Sequence, residues 1–356
     1  MTKNELADWG WNTSWETAFE AYQEAGYVPG RVTLEHKHIY RVMTQEGELL
    51  GEVAGKMRHQ AFGRADYPAV GDWVALQPRR EDGRAMIHGI LPRQSKFSRK
   101  AAGSGVAEQI VAANVDTVFL VHALNQDFNL RRLERYLTLA YESGAMPVVV
   151  LSKADLSGDV AGRIAEVEAV APGVFIHAVS PLQDEGVEAL RTYLGQGRTA
   201  ALLGSSGAGK STLANRLYGE EVLLTGGIRE GDDRGRHTTT HRELVRLPEG
   251  GLLIDTPGMR ELQLWDAEGG LDLAFRDIEA LAADCRFGDC GHGGEPGCAV
   301  QAALAAGTLA EARYRSYLKL QKELAYEARK EDPALQREER DRWKKLQKQV
   351  RKGPLR

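Results

Sequence analysis

The chain has 356 residues, enough for two or three domains, of which 42% are hydrophobic and 27% charged. That balance is the one expected of a soluble globular protein, and the longest apolar runs, such as Met146–Leu151, are far too short to span a bilayer. The net charge of −4 hides an asymmetry: residues 28–100 hold 13 Lys/Arg against 8 Asp/Glu, residues 329–356 hold 11 against 5, and residues 101–328 hold 21 against 32.

The first residues include Glu5, Asp8 and Trp9 without a basic stretch before an apolar one. No signal peptide is expected, and the expected compartment is the cytoplasm. Residues 14–25 predict a short amphipathic helix that Gly26 can end. From Arg31 to Lys100 the pattern changes to short alternating segments at 31–34, 38–42, 48–53, 72–76 and 85–90, separated by turns such as Gln45-Glu46-Gly47 and Glu81-Asp82-Gly83. Such strands fit a small closed barrel of the OB type. An SH3-like barrel fits the same pattern. Residues 101–113, opening Ala-Ala-Gly-Ser-Gly, read as a linker.

Strands and helices then alternate. Strands are expected at 115–121, 147–151, 174–179, 200–203, 244–247 and 252–254, and helices at 130–143, 160–170, 187–194 and 210–217. Continuous apolar strands between helices mean a mostly parallel sheet covered on both faces. Ligands bind such sheets at the carboxyl ends of the strands. After Trp265 the chain turns helical around a cysteine cluster, with a helix over 310–328 and a charged tail in which Asp332-Pro333 interrupts it.

Two strings carry the nucleotide chemistry. Gly204-Ser205-Ser206-Gly207-Ala208-Gly209-Lys210-Ser211, followed by Thr212, fits G-x-x-x-x-G-K-[ST] in full. It follows an apolar strand and opens a helix, so its N–H groups can wrap phosphates, Lys210 can reach the β- and γ-phosphates, and Ser211 can ligate Mg²⁺. Leu151-Ser152-Lys153-Ala154-Asp155 is a variant of the Asn-Lys-x-Asp loop that reads guanine. The Asp155 carboxylate can accept from guanine N1–H and N2–H₂, a pairing adenine cannot offer, and the Lys153 stem can lie along the purine. Val179-Ser180-Pro181 ends the next strand, where a backbone N–H can meet guanine O6. In an ordinary GTPase the phosphate loop comes first. Here it comes second, the order expected of a circularly permuted GTPase.

Asp255-Thr256-Pro257-Gly258 closes the strand at 252–254; Asp255 can hold Mg²⁺ through water, and the Gly258 N–H can sense the γ-phosphate. Between these lies the polar stretch Gly231-Asp232-Asp233-Arg234-Gly235-Arg236-His237-Thr238-Thr239-Thr240, of the kind a γ-phosphate orders. Thr239 is the expected last Mg²⁺ ligand. Met259 stands where many GTPases carry a water-orienting Gln, and His237 is the candidate to replace it. A solvated loop histidine is the plain alternative.

The three cysteines, Cys285, Cys290 and Cys298, lie within 14 residues, and His292 lies among them. Three thiolates and an imidazole make a closed Zn²⁺ site with no position left open, so no metal catalysis is expected there. Glycines at 288, 291, 293, 294 and 297 let the loop fold around an ion.

The permuted order, the Arg-His-Thr-Thr-Thr stretch, the Cys-Cys-His-Cys cluster and the leading β-barrel together resemble the RsgA (YjeQ) family, bacterial GTPases of small ribosomal subunit maturation. The resemblance spans roughly residues 30–325; Ser152 departs from the family's usual Asn. It implies an OB barrel and a zinc domain that dock on 16S rRNA in the 30S particle, and a weak GTP hydrolase stimulated by that particle. The implied organisation is an extension (1–27), an OB domain (28–100), a circularly permuted α/β P-loop GTPase domain (101–264), a mostly helical zinc-binding domain (265–328) and a basic tail (329–356). Partners are GTP/GDP and the 30S subunit, with no membrane, and the protein is expected to be a monomer. The basic flanks suit rRNA. The switch at 255–258 would run straight into the zinc domain. Three alternatives use the same residues: a permuted GTPase acting on another RNA or the large subunit, a P-loop ATPase or kinase, and a zinc RNA-binding module with a regulatory nucleotide site.

Overall fold

The computed structural model describes residues 6–36, 38–100, 108–219, 243–255 and 268–331. Helix α1 (Thr13–Glu24) begins where the Asn12 side chain accepts the N–H groups of Ser14 and Trp15. Its Trp15 and Phe19 are buried, and Trp15 packs on Trp73.

Strands β1 (Val28–His36), β2 (Ile39–Thr44), β3 (Gly47–Val53), β4 (Trp73–Arg79) and β5 (Arg84–Ile90) follow the expected alternation. They pair in the order β1-β2-β3-β5-β4, and β4 returns to β1, so the barrel closes. Val32, Tyr40, Val42, Val53, Val74, Leu76, Ala85 and Ile87 fill it. Closure removes the free edges that five short strands would otherwise expose. Between β3 and β4 lies a short helix, α2 (Gly55–Gln60).

The expected linker is a correction. Residues 108–113 form strand β7 (Glu108–Ala113), paired antiparallel with β6 (Lys96–Lys100). Ile110, Val111, Ala112 and Ala113 are buried. The Ala-rich end carries little strand propensity, so tertiary burial decides its conformation.

The second sheet places β10 (Phe175–Ala178), β9 (Met146–Ser152), β8 (Thr117–Ala123), β11 (Thr199–Gly204) and β13 (Leu252–Asp255) side by side and parallel, in that order. The last neighbour, β12 (Glu243–Arg246), is antiparallel. Every residue of β8 is buried, as expected when helices cover both faces. Those helices are α3 (Leu130–Ser143), α4 (Val160–Glu168), a single turn α5 (Glu188–Arg191) and α6 (Lys210–Tyr218).

Barrel and sheet are joined. Leu34 pairs with Glu243, and Arg41 meets Glu243 at 2.9 Å. Arg31, fully buried, donates to the carbonyls of Gly71, Trp9 and Asn114 and to the Thr199 hydroxyl, and lies 5.4 Å from the Trp73 ring centre. Burial pulls its guanidinium down to about 10, still well above neutral pH. One charged residue thus ties the N-terminal segment, the barrel and the start of β11.

Of the C-terminal helices α7 (Glu268–Ala274), α8 (Arg276–Ala283), α9 (Ala299–Ala305) and α10 (Glu311–Glu331), α7 and α10 pack against α3, while α8 packs on α7 and α9. Arg313 holds them there. Its guanidinium donates to Glu134 at 3.0 Å, to Asp277 at 2.6 and 2.7 Å, and to the carbonyls of Val170 and Ala274. Arg135 adds a two-pronged pair with Glu323 at 2.6 and 2.7 Å. No helix among the described residues is long and apolar enough to cross a membrane.

Candidate nucleotide site and metal centre

The carboxyl ends of β8, β9, β10, β11 and β13 share one edge of the sheet, and the two nucleotide strings meet there although the chain visits them in reverse order. β11 ends at Gly204, and α6 starts at Lys210. Between them the chain needs glycine. A Cβ on Gly204 would lie 2.3 Å from the Val121 carbonyl oxygen, and Gly209, at φ +90°, caps α6 in the left-handed region. The Lys210 ammonium donates to the carbonyls of Gly204 at 2.8 Å and Ser205 at 2.6 Å, so it stands inside the loop it would serve. Ser211 is exposed on the first turn of α6.

β9 delivers the second string. Ser152 is fully buried, and its hydroxyl donates to the Ala208 carbonyl at 2.5 Å. A longer Asn is absent, and this position reaches across to the phosphate loop instead. Lys153 sits at φ +56°, an uncommon conformation for a residue with a Cβ, and turns the chain sharply at the strand end. Asp155 follows on the next turn. The Ser180 hydroxyl, at the end of the neighbouring strand, donates to its Oδ1 at 2.6 Å and leaves the other oxygen directed elsewhere. The Ser180 N–H, expected to face the ligand, is engaged by the Glu185 carbonyl at 2.9 Å. Its hydroxyl is therefore the part of Ser180 that meets Asp155.

Ser152, Lys153, Asp155, Leu156, Ser180, Pro181, Leu182, Gly209 and Thr212 enclose a cavity of about 260 Å³. That is below the ~300–1,000 Å³ of sites that take whole drug-sized ligands, and suits one flat base with its sugar and phosphates outside. Leu156 and Leu182, 65% and 83% exposed, form an apolar rim on which a ring can lie. The backbone of Asp255 ends β13, next to the strand that feeds the phosphate loop. His237, Thr239, Gly258 and Met259 lie outside the described residues, as does the run from 256 to 267 that was expected to lead from switch to metal centre.

Sequence reasoning missed Asp127 and Arg132. Asp127, in the turn between β8 and α3, accepts from the Ser205 hydroxyl at 2.8 Å. Arg132 grips the same carboxylate at 2.6 and 3.0 Å, and these two hydrogen-bonding partners hold its pKa down to about 2. No motif signals this contact, because the two residues lie 78 positions apart.

The metal centre is assembled from one short loop. The ligand atoms of Cys285, Cys290, His292 and Cys298 all lie within 4.8 Å of one another. Nδ1 of His292 is 3.6 Å from the Cys285 sulfur and 3.5 Å from the Cys298 sulfur, and those two sulfurs are 3.9 Å apart. A tetrahedral ion with Zn–S and Zn–N bonds of about 2.3 and 2.0 Å requires S···S near ~3.8 Å and S···N near ~3.5 Å. The donor set fits. Gln301 secures the loop, giving its side-chain N–H to the His292 carbonyl at 2.6 Å.

Comparisons with known proteins agree with this geometry. A family model described as RsgA GTPase matches residues 90–265. The small ribosomal subunit biogenesis GTPase RsgA of Opitutus terrae is 50% identical over 350 residues, covering 96% of this chain and 95% of that one. RsgA 1 of Oceanobacillus iheyensis is 50% identical over 324 residues, covering 91% and 92%. Among solved structures, YjeQ from Thermotoga maritima superposes with a TM-score of 0.63 at 31% identity, covering 84% of this chain and 99% of that one. The circularly permuted GTPase YloQ, at 22% identity and a TM-score of 0.61, covers 84% and 95% and shares the fold.

Proposed function

The chain belongs to the RsgA family of small ribosomal subunit biogenesis GTPases, and from that membership we propose that it binds GTP at the sheet edge, hydrolyses it to GDP and phosphate, and acts on the 30S subunit through 16S rRNA. The observation that carries this reading is the cavity in which Asp155 and Ser180 face Gly209 and Thr212 of the phosphate loop.

In this reading the backbone N–H groups of Gly204–Thr212 take the phosphates and Lys210 neutralises their growing charge. Ser211, Asp255 and Thr239 offer hard oxygen donors suited to Mg²⁺, which would supply charge neutralisation on the β- and γ-phosphate oxygens. His237 orients the attacking water. Asp127 fixes the Ser205 hydroxyl and with it the leading edge of the loop. The cysteine cluster holds one Zn²⁺ for folding and leaves chemistry to the nucleotide site. The barrel, five charges positive by count over residues 28–100, is the rRNA-binding part of a cytoplasmic monomer. The domain limits of the sequence reading, 28–100, 101–264 and 265–328, are retained as proposals.

Asp155→Asn tests the guanine reading. Guanine loses a charged acceptor for two donors, so GTP affinity should fall by roughly 10- to 150-fold, at ~1.5–3 kcal/mol for hydrogen bonding to a charged group. Xanthosine triphosphate, whose O2 needs a donor, should gain. Nucleotide competition reads both. A wild type that binds ATP and GTP equally well would remove Asp155 from this role.

A further inference from the structure

The segment joining β3 to β4 holds three large apolar side chains, Met57, Phe62 and Tyr67. Met57 and Tyr67 pack partly buried against the barrel core. Phe62, between them, is 103% exposed. A lone exposed apolar side chain needs no explanation by itself. This one stands on an ordered turn. The Asp66 carboxylate accepts the N–H of Phe62 at 2.8 Å and of Gly63 at 3.0 Å, directly after α2 ends. Both ends of the segment are thus anchored on the barrel, and the ring is held outward at the tip.

Its surroundings are cationic. Lys56, Arg58 and Arg64 are exposed on the same short segment, with His59. Its two acids are already engaged: Asp66 by two backbone N–H groups, and the buried Asp72 by the Ala69 N–H and Arg93. A rigid π-face with basic groups on both sides matches an unpaired base with its flanking phosphates.

We propose that Phe62 is a stacking platform for an unpaired base of ribosomal RNA, with Lys56, Arg58 and Arg64 taking the neighbouring phosphates. This rests on the reading of the barrel as the rRNA-binding part and adds the residue and the contact. A phenyl group has no polar atom to read base edges, so the contact adds affinity without choosing a sequence. An apolar pocket on a ribosomal protein would bind the ring through shape alone and would gain nothing from the basic flank.

The test is co-sedimentation of the full-length protein with 30S particles, using Phe62→Ala, Phe62→Leu, Phe62→Tyr and Phe62→Trp, with GTP affinity measured in parallel. The ring is solvent-exposed, so all four should fold and bind GTP as the wild type does. Ala and Leu should weaken 30S binding roughly 5- to 150-fold, as loss of one base–aromatic stack does, while Tyr and Trp retain it. A photo-crosslinking phenylalanine analogue at position 62 should label rRNA. An unaltered Ala variant, a Leu variant equal to wild type, or a crosslink confined to ribosomal protein would overturn the inference. A wild type that does not sediment with 30S at all would instead bring down the rRNA reading beneath it.

Discussion

Lys210→Ala should abolish GTP turnover while leaving the fold intact. Phosphoryl transfer offers little covalent work to the protein, so rate comes from positioning and from neutralising charge on the transferring group. The Lys210 ammonium already occupies the interior of the loop, donating to the Gly204 and Ser205 carbonyls. Removing it costs two partly buried hydrogen bonds to backbone, a modest loss for the fold. The catalytic loss should be roughly 10³-fold or more, in the range of removing a single charge from such a transition state. Single-turnover hydrolysis with 30S particles present, beside a thermal unfolding curve, measures both. Turnover near the wild-type rate would place the catalytic charge elsewhere.

Loss of the metal should have the largest effect on structure. Cys290→Ser, or a strong chelator, should release the loop from Cys285 to Cys298 and the start of α9. The reason is local. Cys298 is the N-cap of α9 and accepts the Gln301 N–H at 3.4 Å, and Gln301 in turn holds the His292 carbonyl. A structural zinc contributes an apparent ~10–16 kcal/mol in small domains, far more than the hydrogen bonds to Glu295, Gln301 and Arg286 that also hold this glycine-rich loop. The damage should stop at α10. Arg313 and Arg135 clamp that helix to α3 without the metal, and the cavity lined by Asp155 and Ser180 is built from other elements. Hydrogen exchange over residues 285–305 should therefore rise sharply while GTP affinity changes little. Unchanged exchange after chelation, or protein purified without bound zinc, would contradict a structural ion.

Much of this was legible in the residues. Alternation in 31–53 and 72–90 marks a half-buried sheet, and continuous apolar runs mark the parallel strands, because side chains alternate faces in one and are buried on both in the other. Gly204–Ser211 and the cysteine cluster are local in sequence, so spacing alone finds them. Strand β7 was hidden because its alanines carry no propensity and its partner β6 supplies the reason to be extended. Asp127 and Arg313 were hidden for a different cause. Their roles are defined by partners 78 and 179 residues away, and nothing local distinguishes either from a solvated charge. Ser152 departs from the usual Asn in a way that only the fold explains. Its hydroxyl faces the Ala208 carbonyl, so the strand that brings the guanine loop also braces the phosphate loop.

Co-sedimentation with 30S and 50S particles, in GDP and in a non-hydrolysable GTP analogue, across a salt series tests the GTP-dependent action on the small subunit most directly. Binding should be to 30S, stronger with the analogue, and should fall steeply with salt as rRNA phosphates regain their counterions, while nucleotide affinity stays nearly constant. Equal binding to both particles in both nucleotide states, or binding indifferent to salt, would contradict a GTP-dependent factor acting on the small subunit through its RNA.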